Sequence, residues 1–181
     1  MAAGTIKSEN VTILEASPNT GLDKKIGRLV TQIDQDAIAT TNIDDANDKM
    51  LFCPIPSNAV ILDVLVLNDD LDSDATPTLA ADVGLYYSGV GGTQAKDGNT
   101  SGTVIDADCF GSAVTTLQAA NVTWTSLRFE ADNIVDVKKE AWSVGGLSAD
   151  PGGYLYVGLN VTTAAATGAA GDIVVRVDYI A

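Results

Sequence analysis

The sequence predicts a mainly β fold: an antiparallel β-sandwich or jelly-roll-like domain with one or two short helices and an extended N-terminal arm. Three observations carry this. Asp, Thr and Gly are plentiful, only four of the 24 acidic residues are Glu, and long Leu/Glu/Lys stretches are absent; Asp and Thr suit turns and strands, whereas Glu, Lys and Gln favour helix. Two C-terminal segments alternate apolar and polar residues cleanly. The remaining apolar runs are short and separated by Gly-, Pro-, Asn- and Asp-rich turns. At 181 residues and 46% apolar content the chain is long enough for one domain with a substantial core.

In chain order, residues 1–48 read as an arm with peripheral strands. "TIKSENVTILE" is a candidate strand with Val11 and Ile13 on one side, "SPNTGLDKK" a turn, "IGRLVTQI" a second strand and "DQDAIATTNIDDAND" a loop. The domain proper is placed at 49–181. It opens with the strand "KMLFCPIP", whose Pro54 and Pro56 belong at an edge or turn because they lack an N–H. "SNAVILDVLVLN" follows. Val60, Leu62, Val64 and Val66 share one face, and Ile61, Asp63, Leu65 and Leu67 the other. With both faces apolar, this strand is expected to be covered on both sides, by a second sheet and by a helix or another subunit. Asp63 reads as a strand-edge or interface carboxylate.

"ADVGLYYSG" is the next strand and "VGGTQAKDGNTSG" a Gly-rich loop. "TVIDADCFGSAVTTL" starts as a strand and is expected to turn into a brief helix capped by Asp106 or Asp108. "VTWTSLRFE" reads as a strand. "DNIVDVKKEAW" is the best helix candidate, capped by Asn133, and "SVGGLSADPGG" ends it. In "GYLYVGLNVTT" Leu155, Val157, Leu159 and Val161 point inward. In "GDIVVRVDYIA" Ile173, Val175, Val177 and Tyr179 do the same. Together these two segments are expected to form an antiparallel hairpin.

Charge and composition exclude several functions. The net charge is −14, with three Arg and seven Lys. Such a surface repels phosphate backbones and anionic lipids, so neither nucleic acid nor membrane is an expected partner. The longest apolar run has nine residues and contains Asp63, too short to span a bilayer. There is no His, which removes His-based acid–base catalysis, the usual Ser and Cys triads and His-ligated metals. Cys53 and Cys109 lie far apart with no CxxC and read as two buried free thiols, with a single disulfide as the alternative. "MAAGTIKSEN" lacks the basic and apolar stretches of a secretory signal, so folding in a cytoplasm is expected.

Two acidic clusters could carry chemistry. In "NDDLDSD", Asp70, Asp72 and Asp74 alternate like the start of a calcium loop. An EF-hand would then want Gly where Ala75 stands and Glu where Ala81 stands. The alternatives are a looser calcium site and an Asp-rich turn after a buried strand. Asp106 and Asp108 form an i, i+2 pair able to share a strand face. Glycoside hydrolysis would need them to face each other across a cleft, about 5–9.5 Å apart. The aromatics Tyr86, Tyr87, Trp124, Trp142, Tyr154 and Tyr156 could stack on sugar, though core packing or subunit contact is their commoner fate. The Gly-rich stretches lack the strand–GxGxxG–helix context and the GK[ST] ending of phosphate loops. The four Asn-x-Ser/Thr sequons fit the Thr- and Asn-rich composition. The residues therefore assign no catalytic, cofactor-binding or metal-binding side chain, and no enzyme activity is expected.

Several short pieces, taken in order, resemble structural proteins of tailed-bacteriophage virions, most of all capsid decoration (cement) proteins. They are "MLFCPIPSNAVILDVLVLNDDLD", then "ADVGLY", "GTVIDADCFGSA", "VKKEAWSVGGLSADPGG" and the closing "VDYIA", which together span about residues 45 to 181. The resemblance implies a small β-sandwich that sits on the capsid exterior, often as a trimer, and clamps neighbouring major capsid protein subunits, with its N-terminal arm lying across one of them. It implies folding in the host cytoplasm before assembly and no cofactor. A tail-fibre or receptor-binding jelly roll that binds carbohydrate, with or without calcium, is the alternative, followed by a head–tail connector or tail protein.

Overall fold

The computed structural model describes residues 28–94, 96–129 and 133–181. The candidate strand "TIKSENVTILE" and the turn "SPNTGLDKK" lie outside the described residues. Eight strands are present among them: β1 (Leu29–Ile38), β2 (Lys49–Pro56), β3 (Val60–Asn68), β4 (Ala80–Tyr87), β5 (Val104–Val114), β6 (Asn121–Ser126), β7 (Tyr154–Thr163) and β8 (Gly171–Ile180). They form two four-stranded antiparallel sheets. The first has the order β1-β8-β3-β6 and the second β2-β7-β4-β5. The chain changes sheet at every connection except β4 to β5, and the two strand orders are those of a jelly roll.

The core lies between the sheets. Leu155, Val157, Leu159 and Val161 of β7 meet Ile173, Val175, Val177 and Tyr179 of β8 there, all buried as their alternation requires. Yet the two strands do not form the expected hairpin. β7 pairs with β2 and β4, whereas β8 pairs with β1 and β3. The seven-residue connection between them crosses from one sheet to the other, which lets both apolar faces look inward at each other.

Three further segments depart from their expected form. β1 continues through Asp34, Asp36 and Ile38, where a loop is expected, because every residue from Leu29 to Ile38 pairs with β8. "TVIDADCFGSAV" stays extended for eleven residues, with only a 3-10 turn at Thr116–Gln118 after it. Its pairing with β4 is broken by repeated bulges, and Ala113 adopts φ +50. The helix expected over "DNIVDVKKEAW" is divided into a 3-10 turn at Ile134–Lys138 and a single α-helical turn, α1 (Ala141–Val144). The break falls where Glu140 takes an extended conformation and bridges to Val60.

β2 carries its prolines as an edge strand should, with a bulge between Phe52 and Pro54. Cys53 sits in the bulge at φ +37, and its N–H donates to Asp34 Oδ2 on β1 at 2.7 Å. The two cysteines form no disulfide; Cys53 is buried and Cys109 half-buried. Burial, reinforced by the Asp34 charge, pushes the Cys53 thiol up to about 12, so it stays protonated and inert. No helix among the described residues is long and apolar enough to cross a membrane.

At the bulged stretch β5 folds over the outer face of β4. A Cβ on Gly84 would lie 2.1 Å from the Asp106 carbonyl oxygen and 2.4 Å from the Ala107 backbone. Only glycine lets the two strands come this close. Gly84→Ala is expected to force them apart and lower stability by about 2–3 kcal/mol. Urea unfolding checks this; an unchanged midpoint would contradict the close approach.

Candidate functional site

The acidic cluster "NDDLDSD" leads from the end of β3 into the crossing to β4. Asp72 is 1% exposed, next to the fully buried Leu71. Its Oδ2 accepts the backbone N–H groups of Thr78 (2.7 Å), Leu79 (2.9 Å) and Ala166 (3.1 Å), and its Oδ1 that of Thr167 (2.9 Å). Burial pushes this carboxyl up, but the four donors outweigh it and bring the pKa down from 3.8 to about 2. Asp70 Oδ1 accepts the Asp72 N–H at 3.1 Å. Asp74 accepts from the Thr76 N–H and from the Thr76 and Thr167 hydroxyls, which hold its carboxyl below the usual range. The three carboxylates thus face protein donors and brace a turn. Among the described residues no three His, Cys, Asp or Glu side chains converge as metal ligands.

The Asp108 N–H donates to Asp106 Oδ1 at 3.3 Å, so this carboxyl turns back on its own strand. Burial, followed by the neighbouring Asp108 carboxyl, raises the Asp106 pKa. Close by, Tyr86 is fully buried, and burial together with the charges of Asp82, Asp106 and Asp108 pushes its phenol up. The aromatics are divided between the two sheets, with Tyr86 opposite Tyr156 on β4 and β7. Trp124 lies on the first sheet and Tyr154 on the second, and Trp142 donates its indole N–H to Glu140 at 2.7 Å.

The two Gly-rich stretches pack on each other. A Cβ at Gly92 (φ +56) would meet the Pro151 carbonyl oxygen at 1.9 Å, and the Thr93 N–H donates to that same oxygen. Gln94, fully buried, ties them further. Its Nε2 donates to the Gly152 and Tyr154 carbonyls, and its Oε1 accepts the Gly89 N–H. These loops therefore brace one end of the sandwich.

Sequence reasoning also missed Arg128. It is fully buried, donates to the Ile61 carbonyl at 2.8 Å, and lies 5.3 Å and 5.5 Å from the Phe110 and Phe129 ring centres. Its position beside Leu127 in an apolar stretch was the available signal.

What remains as a site is a surface. On the outer face of the first sheet, register places Leu29 and Ile33 of β1, Val174 and Arg176 of β8, Leu65 and Leu67 of β3 and Trp124 of β6 on one side. Leu29 is 63%, Ile33 55% and Val122 87% exposed. The expected cover on the second face of β3 is thus not supplied by the described residues, apart from the 3-10 turn Ile134–Lys138 near its start. A polar band fixes the middle of this face. Arg176 holds Asp178 at 2.7 Å and stacks 5.8 Å from the Trp124 ring centre; Thr31 donates to Asp178, and Ser126 to Asp63, each at 2.6 Å.

The solved structures similar to this chain include two from phage capsids. One is a chain of the cyanophage Pam1 capsid asymmetric unit, at 22% identity over 85% of each chain with a TM-score of 0.51. The other is a chain of the capsid of Ralstonia phage GP4, at 24% identity over 89% of each chain with a TM-score of 0.57. No protein-family model and no curated protein matches the sequence. The resemblance to phage virion proteins is thereby met at the level of the fold, which is one that phage capsid assemblies contain.

Replacing Asp72 by Asn leaves the geometry but sets an NH2 group against backbone N–H donors. Asp72→Asn is expected to cost about 2–4 kcal/mol, measured by chemical denaturation. The pH dependence has a definite sign. Because the folded pKa of about 2 lies below the ordinary 3.8, the stabilisation is fully present above pH 4 and is lost as pH falls through 2. Melting temperatures of the wild type should fall over that window, and Asp72→Asn should remove this part of the fall.

Proposed function

We propose that this chain is a non-enzymatic structural protein of a phage virion, a decoration protein that stabilises the head by bridging major capsid protein subunits. The observation that supports it best is the likeness to chains of two phage capsids over nearly the whole length of both partners. A single jelly roll with short helices is common to viral shells, and fold alone leaves function to the surfaces. Here those surfaces suit protein contact. The acidic stretch around Asp72 braces a turn, whereas an exposed apolar sheet face is left largely uncovered by the described residues. In this reading the protein folds in the host cytoplasm, assembles as a homo-oligomer with a trimer favoured, and sits on the capsid exterior.

Quantitative mass spectrometry of purified virions tests this. Near one-to-one stoichiometry with the major capsid protein is expected. Absence from the virion, or the few copies typical of a tail or connector component, would overturn the reading.

A further inference from the structure

The outer face of the first sheet carries a cleft of about 330 Å3 near the Asp72 end of the sandwich. Leu67, Val174 and Val122 contribute its apolar surface, and Asp69 and Asp172 line it as carboxylates, with Gln35 beside them. Strand register explains why these residues meet. Leu67 lies opposite Val174, which in turn lies opposite Gln35, so β3, β8 and β1 present one continuous surface. The Asp172 N–H donates to Asp69 Oδ2 at 2.9 Å, and the Asp69 N–H to the Asp172 carbonyl at 3.0 Å. The Asp69 carboxylate is thereby held against the Asp172 backbone, and Asp172 is exposed beside it.

We propose that this face is the docking surface for a basic, apolar patch of a partner protein, with the aliphatic stem of a Lys or Arg lying in the cleft and its cationic head meeting Asp69 and Asp172. The inference rests on the reading of the chain as a shell-bound protein, and the partner is then a shell subunit. Charge complementarity selects the occupant. Besides Asp69 and Asp172, the described strands of this face hold Asp63 and Asp178, and Arg176 among them is already engaged by Asp178. A second copy would bring the same acidic face, and the chain carries −14 overall, so copies repel here while a basic surface is attracted. A long cationic side chain is the one kind that covers an apolar floor with its methylenes and still presents charge at the rim.

The test uses shells prepared without this protein and titrated with the full chain. Val122 is too exposed for a substitution to harm the fold, so Val122→Glu should melt as the wild type does but bind shells about tenfold or more weakly. Asp172→Asn should weaken binding by about threefold to tenfold and flatten its salt dependence. Val104→Glu, on the exposed side of β5 in the second sheet, should bind as the wild type. Wild-type affinity in both first-sheet variants, or loss of binding in Val104→Glu alone, would overturn the inference. So would dissociation of the protein's own oligomer by Val122→Glu in sedimentation, because a second copy would then be the occupant. If the wild type itself fails to bind shells, the shell-bound reading falls, and this inference with it.

Discussion

The carboxylate of Asp72 joins two chain segments more than ninety residues apart, and the sandwich depends on that junction. The connection from β3 to β4 crosses from the first sheet to the second, and the connection from β7 to β8 crosses back. They run side by side at one end of the molecule. Asp72 reaches from the first crossing to the N–H groups of Ala166 and Thr167 in the other, while also holding Thr78 and Leu79 at the entry to β4. Ser73 donates to the Thr167 carbonyl, Ala169 to that of Leu71, and the Thr78 hydroxyl to that of Ala164. Leu71, fully buried, points into the core beneath. The two crossings thus behave as one short ladder, and this ladder fixes how β3 and β8 of one sheet sit over β4 and β7 of the other. A carboxylate suits the position because a single side chain can satisfy four backbone donors that no regular strand could reach.

The strands were legible in the sequence wherever one face alone is buried. β7 and β8 alternate without interruption, and each inward residue read from the pattern is buried. Their assignment to different sheets was not legible. Seven residues suit a hairpin loop and an arch between sheets equally well, and only the pairing partners distinguish them. β5 was misread for a different reason. "VIDADCFGSAV" breaks alternation because its bulges re-aim successive side chains. The feature that permits those bulges, Gly84, stands on another strand. The divided helix reflects competition. The periodicity of "DNIVDVKKEAW" is real, but Glu140 is drawn into a bridge with Val60 on β3, and tertiary pairing wins over weak helix propensity in so short a segment.

The candidate sites show the same limit. Asp70, Asp72 and Asp74 are indistinguishable as letters in a row, and what separates Asp72 is a set of N–H donors supplied from residues 166 and 167. The double-faced apolar pattern of β3, by contrast, was readable and informative. It implies cover on two sides, and among the described residues the second sheet covers one side, leaving Leu65 and Leu67 half-exposed beside Val174 and Trp124. An antiparallel sheet facing only water would alternate to polar residues at these positions. The sequence therefore marked an exposed apolar surface more clearly than any chemical site.

The excess of Asp over Glu follows from the same architecture. Beyond Asp72 and Asp74, Asp34 accepts the N–H of the bulged Cys53, Asp82 that of Ala113 at its positive φ, and Asp150 that of Gly152. Asp63 accepts the N–H of Val64 beside the β3 bulge, and Asp69 that of Asp172 at the start of β8. Each bulge, turn and crossing frees backbone donors from the ladder, and a short carboxylate satisfies them locally with little side-chain entropy lost. Glu, one methylene longer, fits such turns less well. Much of the chain's negative charge is thus a consequence of a loop-rich jelly roll. At a net charge of −14 that excess still favours approach by basic surfaces over acidic ones. The carboxylates that hold the arches and bulges in place are thus also the source of the field around the exposed apolar sheet face.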